Sequence, residues 1–130
     1  MTARIVAQSS VMVSRDVPAA IRHWCGVFGF VLDNSFGEPP SFAILRRDGA
    51  YVMLGATDTP VVPRREQRAG LFDAYFWLDD AVSAFDEMKA RGARIDYAPC
   101  LQSYGVLEFG LLDPDNHLIA FGQVMPSSSP

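Results

Sequence analysis

The sequence predicts an α+β domain in which one β-α-β-β-β unit is used twice. Three observations predict it. Residues 41–55 (SFAILRRDGAYVMLG) and 105–122 (GVLEFGLLDPDNHLIAFG) each read as an apolar strand, a tight turn and a second apolar strand ending in Gly. Each such hairpin follows an amphipathic stretch of helical period and a short strand. The two copies also align: Asp16 with Asp80, Ala20 with Ala84, Ile21 with Phe85, Trp24 with Met88, Gly49 with Asn116, and Gly29 with Gly92 after a one-residue slip. Two packed copies of one unit leave a space between them, which is the expected place for a ligand.

The elements follow in order. A first strand covers about residues 5–13, with Val11 and Val13 alternating against Ser10 and Met12. Asp16 is the expected N-cap of the first helix, with Pro18 in the first turn, where its missing N–H does no harm. Val17, Ala20, Ile21, Trp24 and Phe28 recur at helical spacing, which assigns Trp24 to the core, and Gly29 ends the helix. A second strand spans 30–33, followed by a polar, Pro-rich loop at 34–40. The hairpin of residues 41–55 turns at Asp48-Gly49. Residues 56–70 show neither period and read as the connector between module one (5–55) and module two (71–123). A fifth strand at 72–78 leads to Asp79 and Asp80 as caps. The second helix then buries Val82, Phe85 and Met88 and ends at Gly92. A sixth strand at about 93–97, a loop at 98–103 and the second hairpin complete a single domain over 1–125, with a flexible tail at 126–130.

Composition narrows the function classes. At 130 residues, 49% of them apolar, the chain has enough material for one well-filled core and is not a disordered sequence. A formal net charge of −4 argues against a nucleic-acid surface, and the one basic cluster, Arg64, Arg65 and Arg68, reads as a solvated part of the connector. No apolar run reaches the length of a membrane span, and the N-terminal residues lack the apolar core of a signal peptide, so a cytoplasmic location is expected. Cys25 and Cys100 are expected as free thiols.

The stretch VSRDVPAAIRHWCGVFGF resembles the opening motif of the vicinal oxygen chelate superfamily, the glyoxalase, bleomycin resistance protein and dioxygenase group. LDDAVSAFDEMKARGARI and YGVLEFGLLDPDNHLIAFGQ resemble its second half, so the likeness covers nearly the whole chain. The resemblance implies that the two β-α-β-β-β modules form a cup-shaped, open half-barrel sheet. It also implies a homodimer, in some members with exchange of the first strand.

Metal-dependent members of that family hold a divalent ion with ligands from the first, fourth, fifth and eighth strands. With Val11 and Val13 assigned to the helix side, Gln8, Ser10 and Met12 turn toward the cup. With Ala74, Phe76 and Leu78 on the helix side, Asp73, Tyr75 and Trp77 do the same. Carried over in this way, the ligand positions hold Gln8, Met53, Asp73 and Ala120. Slipping the first strand by one residue brings in Ser9 and adds no ligand. Met and Ala offer no donor for a hard or borderline cation, and His23 and His117 are not placed to replace one, so neither metal nor cofactor is expected.

The remaining wall, with Tyr51, Leu118 and Ala120 beside the residues above, is apolar and aromatic with a few polar groups and suits a small organic ligand. Gln8, Ser10, Met53, Asp73, Tyr75, Trp77, Glu108 and Phe36 are the candidate binding residues. Bland readings stand beside these. Tyr75 and Trp77 equally suit a dimer interface, Asp73 a backbone bond at its strand's start, Glu108 a solvated strand face, and Phe36 a loop anchor. Tyr104-Gly105 marks a segment at the cup's mouth in many relatives. The resemblance is nearest in character to the metal-free bleomycin-resistance proteins, which capture a basic aromatic drug without chemistry. The alternatives are a lyase, isomerase or dioxygenase with a degenerate site, and a module whose cup is filled by its own side chains.

Overall fold

A computed structural model describes residues 2–126. Of the tail expected at 126–130, residues 127–130 lie outside the described residues. The chain divides between Val61 and Val62 into two compact units, and each has the same architecture.

The first unit contains β1 (Ser9–Ser14), α1 (Val17–Gly26), β2 (Val31–Phe36), β3 (Phe42–Arg47) and β4 (Ala50–Ala56). Its sheet has the order β1-β4-β3-β2, with β1 parallel to β4 and the other pairs antiparallel. Asp16 caps α1 by accepting the Ala19 N–H at 3.1 Å, as its short acidic side chain predicts. Val17, Ala20 and Trp24 bury one stripe of the helix, which lies against β2, β3 and β4. Trp24 meets Phe28 and Phe30 edge-on, with ring centroids 4.7 and 5.0 Å away. Ala43, Leu45, Val52 and Leu54 complete this buried layer.

One expectation here is reversed. Met12 and Ser14 are the buried residues of β1, while Val11 and Val13 are exposed. The register explains it. Ser10 pairs with Val52 and Met12 with Leu54, and parallel partners share a face, so Ser10 and Met12 turn to the helix-covered side. Gln8 precedes the strand and is exposed. The strand begins at Ser9 rather than near residue 5, and β2 runs on to Phe36 through a bulge between Leu32 and Asn34, where a loop was expected. A bulge breaks the two-residue alternation by which a strand is recognised.

The second unit contains α2 (Arg64–Gln67), β5 (Ala74–Trp77), α3 (Ala81–Ala90), β6 (Arg94–Leu101), β7 (Val106–Leu112) and β8 (Leu118–Val124). The order β5-β8-β7-β6 repeats that of the first sheet, again with one parallel pair, β5 and β8. Asp80 caps α3 through the Ser83 N–H at 3.1 Å. A row of aromatic rings joins helix to sheet: Phe85 to Phe109 at 5.3 Å, Phe109 stacked on Phe121 at 5.0 Å, and Phe121 to Phe76 at 5.6 Å.

Three further expectations change. Val82 is exposed and Ala81 takes its place with Phe85 and Met88, because positions 81, 85 and 88 keep the four-three spacing of one helix face. The connector holds the short α2, and Arg65 is not a free solvated charge: its Nη1 meets Asp96 Oδ1 at 2.6 Å. β6 continues to Leu101 through two irregularities, absorbing part of the loop expected at 98–103. Cys25 and Cys100 are free thiols. Among the described residues, no helix is long and apolar enough to cross a membrane.

Candidate functional site

On the face of the second sheet opposite α3, the strand register brings together residues that are far apart in sequence. Across β7 and β8, Glu108 pairs with Gly122 and Gly110 with Ala120. β6 adds Tyr97 opposite Gly110, and β5 adds Tyr75 beside Ala120 and Trp77 beside Gly122. The two glycines make room. A Cβ at Gly110 would strike the Tyr97 ring, and one at Gly122 would strike the Tyr75 hydroxyl and Val106. The rings therefore lie down on the sheet and carry their hydroxyls to Glu108.

Three hydroxyls converge on that carboxylate. Tyr75 and Tyr104 donate to Oε1, and Tyr97 donates to Oε2, each at 2.7 Å. Glu108 is only 3% exposed, which rules out the solvated strand face. Burial, reinforced by the hydrogen bond to Glu108, raises the Tyr75 and Tyr97 hydroxyls well above the ordinary phenol value. The bond to Glu108 pushes Tyr104 up to about 12. All three stay protonated near neutrality and remain donors. Among the described residues, no Lys, Arg or His forms an ion pair with Glu108.

Beside this cluster stands an aromatic surface. Trp77 is 64% exposed. Its ring lies 4.9 Å from that of Tyr75, which also meets Phe72 at 5.5 Å. Exposed indole next to a buried acid is an arrangement suited to a flat ligand carrying positive charge.

A family model for the Glyoxalase/Bleomycin resistance protein/Dioxygenase superfamily matches residues 6–121. The chain belongs to this superfamily. Solved structures share the fold. TioX from Micromonospora sp. ML1 superposes with a TM-score of 0.75 at 21% identity, over 92% of this chain and 98% of TioX. A bleomycin resistance determinant encoded on the transposon Tn5 gives 0.74 at 23% identity, over 92% and 98%. TnmS3, an antibiotic binding protein from Streptomyces sp. CB03234, gives 0.70 at 22%, over 98% and 100%. Among curated proteins, no sequence matches the chain.

Metal-dependent members of the superfamily raise the question of whether these residues fit an ion. Val11 pairs with Met53 and Tyr75 with Ala120, and Met53 and Ala120 are equivalent in the two hairpins. Two residues back, Ser9 rather than Gln8 therefore matches Asp73. The set becomes Ser9, Met53, Asp73 and Ala120. Met53 and Ala120 bring no suitable donor, and both oxygens of Asp73 are engaged: Oδ2 accepts the Leu118 N–H at 2.9 Å and Oδ1 the Arg64 N–H at 3.3 Å. These residues do not fit the superfamily's metal.

Of the other residues singled out, Asp73 thus follows its backbone reading, tying the start of β5 to β8. Tyr75, Trp77 and Glu108 come together in the second unit. In the first unit, Met53 lies on the face opposite α1, and Ser10 on the helix-covered face. Phe36 ends β2 rather than riding a loop, with its ring 5.8 Å from that of Phe42. Tyr97 was missed. Its signal was Gly110, a glycine inside a strand, which marks a close approach.

A second cluster serves the hairpin turn. Asp113 Oδ1 accepts the N–H groups of Asp115 and His117 at 2.9 Å each, and Oδ2 meets His117 Nδ1 at 2.8 Å. His117 is 3% exposed. Burial pulls its pKa down. The hydrogen bond and charge of Asp113, with Asp73 and Asp115 behind, outweigh that, so the net shift is upward. A raised histidine stabilises the fold fully below its unfolded pKa, about 6.5, and that contribution is lost as pH rises through the folded value. Melting temperatures measured from pH 5 to 9 should fall over that window, and His117→Gln should flatten this component. An equal slope in both proteins would contradict the assignment.

Proposed function

We propose that this superfamily member is a metal-independent binding protein of the bleomycin-resistance type, which captures an aromatic, cationic organic compound stoichiometrically. The observation that carries the reading is the exposed Trp77, seated against Tyr75 beside a buried carboxylate that has no cationic partner among the described residues. A flat ligand stacked on Trp77 gains roughly 0.5–2 kcal/mol from each cation–π contact, and a positive group near Glu108 supplies the missing countercharge. The Tn5 bleomycin resistance determinant and the antibiotic binding protein TnmS3 share the fold and support the capture of a small molecule. The donor set at the superfamily's metal positions, in which Asp73 is the one usual ligand of four, supports metal independence. The reading also takes the protein as a homodimer, as its resemblance to this family implies, in a reducing compartment such as the cytoplasm, consistent with its two free thiols.

Calorimetric titration of chelator-dialysed protein with bleomycin-type and other cationic aromatic compounds tests the proposal. At least one should bind at micromolar concentration with a fixed stoichiometry. Absence of binding across the panel at high micromolar concentration would sink it. Elemental analysis is the companion measurement, since about one tightly held ion per subunit would favour a metal-dependent lyase, isomerase or dioxygenase instead.

A further inference from the structure

Of the three tyrosines bonded to the buried carboxylate, Tyr104 is the exposed one. Tyr75 and Tyr97 rise from β5 and β6, with their rings laid over Gly122 and Gly110. Tyr104 comes from the segment between β6 and β7, is 62% exposed, and reaches Glu108 with its hydroxyl. A residue so exposed, bonded to a carboxylate only 3% exposed, stands on the solvent side of that carboxylate.

We propose that Glu108 is the anchor for an N–H-bearing cation on the ligand (an amidinium, a guanidinium or a protonated amine) and that Tyr104 is the group this cation displaces. The inference rests on the binding reading above and names the chemical class that the site selects.

The acceptor geometry supports it. An ionised carboxylate offers about four acceptor directions, two on each oxygen. Tyr75 and Tyr104 take both on Oε1, and Tyr97 takes one on Oε2. Removing the Tyr104 hydroxyl leaves one open direction on each oxygen, the pattern that a planar N–H fork matches in two parallel bonds. Tyr75 and Tyr97 stay seated and hold the carboxylate in place. Tyr104 is the cheapest of the three to release, because its ring keeps much of its exposure and its hydroxyl can return to water. A quaternary ammonium has no N–H to replace the bond it would break.

The test uses two flat probes of one shape, 2-naphthamidine and neutral 2-naphthamide, titrated into wild type, Tyr104→Phe and Glu108→Gln by calorimetry or NMR. Wild type should prefer the amidine by roughly tenfold or more. Tyr104→Phe should bind the amidine about tenfold tighter, with naphthamide nearly unchanged. Glu108→Gln should bring the two affinities together while keeping naphthamide binding. A Glu108→Gln variant that keeps the full preference, or a Tyr104→Phe variant with unchanged amidine affinity, would overturn the proposal. Naphthamide bound as well as the amidine by wild type removes the anchor and leaves the binding reading standing; neither probe binding also overturns the anchor, while the binding reading is decided by the calorimetric panel above. Melting curves show whether Glu108→Gln folds; if it does not, Tyr104→Phe alone decides.

Discussion

Alanine at Gly110 should destabilise the protein by roughly 2–4 kcal/mol and pull Tyr97 away from Glu108. The added methyl meets the side of the Tyr97 ring, with Leu118 Cδ1 also only 3.0 Å away. The ring cannot slide along the sheet, because its hydroxyl is fixed on Glu108 at 2.7 Å. Either the ring lifts and a bond to a buried carboxylate is lost, or the strands part. Overpacking of this kind costs about 1–3 kcal/mol, and a hydrogen bond to a charged group about 1.5–3, not fully additive. Urea melts give the stability change. The mechanism has its own readout: Gly110→Ala combined with Tyr97→Phe should lose much less than the sum of the two single variants. Additive losses would show that Gly110 does not act through Tyr97.

Trp24→Ala should cost about 3–5 kcal/mol, the larger loss of the two. Trp24 is 0% exposed, lies beneath the first sheet, and holds Phe28 and Phe30 at its ring edges. Alanine leaves an indole-sized void between rings that are themselves anchored by the backbone around Gly29, so collapse is limited. The contrast within the same chain sharpens the prediction. Trp77, at 64% exposure, should cost less than about 1 kcal/mol when replaced by alanine, because it buries little. Denaturant midpoints measured on both variants check this, and equal losses would contradict the assignment of Trp24 to the core and Trp77 to the surface.

Local chemistry was legible in the sequence, and long-range register was not. Asp16 and Asp80 cap their helices as read, because a cap needs only a short acidic side chain three residues before the N–H it accepts. Asp48-Gly49 turns its hairpin for the same local reason, with Asp48 at φ 50°. The repeat made the two modules readable as copies. The face of β1 was misread because Val11 and Val13, the more apolar set, lie on the side opposite the helix. That choice is set by pairing with β4, some 40 residues away in sequence, and not by hydrophobicity alone. Most of the candidate site was hidden for a related reason. Tyr75, Tyr97, Tyr104 and Glu108 look like unrelated strand and loop residues until the register of four strands is known. Asp73 drew attention as a candidate ligand-binding acid, yet its oxygens serve the backbone, while Glu108, for which a solvated strand face stood beside the binding reading, is buried.

In the proposed function a flat cationic ligand stacks on Trp77. With only two tryptophans in the chain, one fully buried and one largely exposed, quenching of indole fluorescence by iodide separates them. Free protein should show one quenchable component, which Trp77→Phe removes. Saturation with a ligand identified by calorimetry should abolish that component in wild type. A ligand that binds with clear heat while Trp77 stays as quenchable as before would contradict the account.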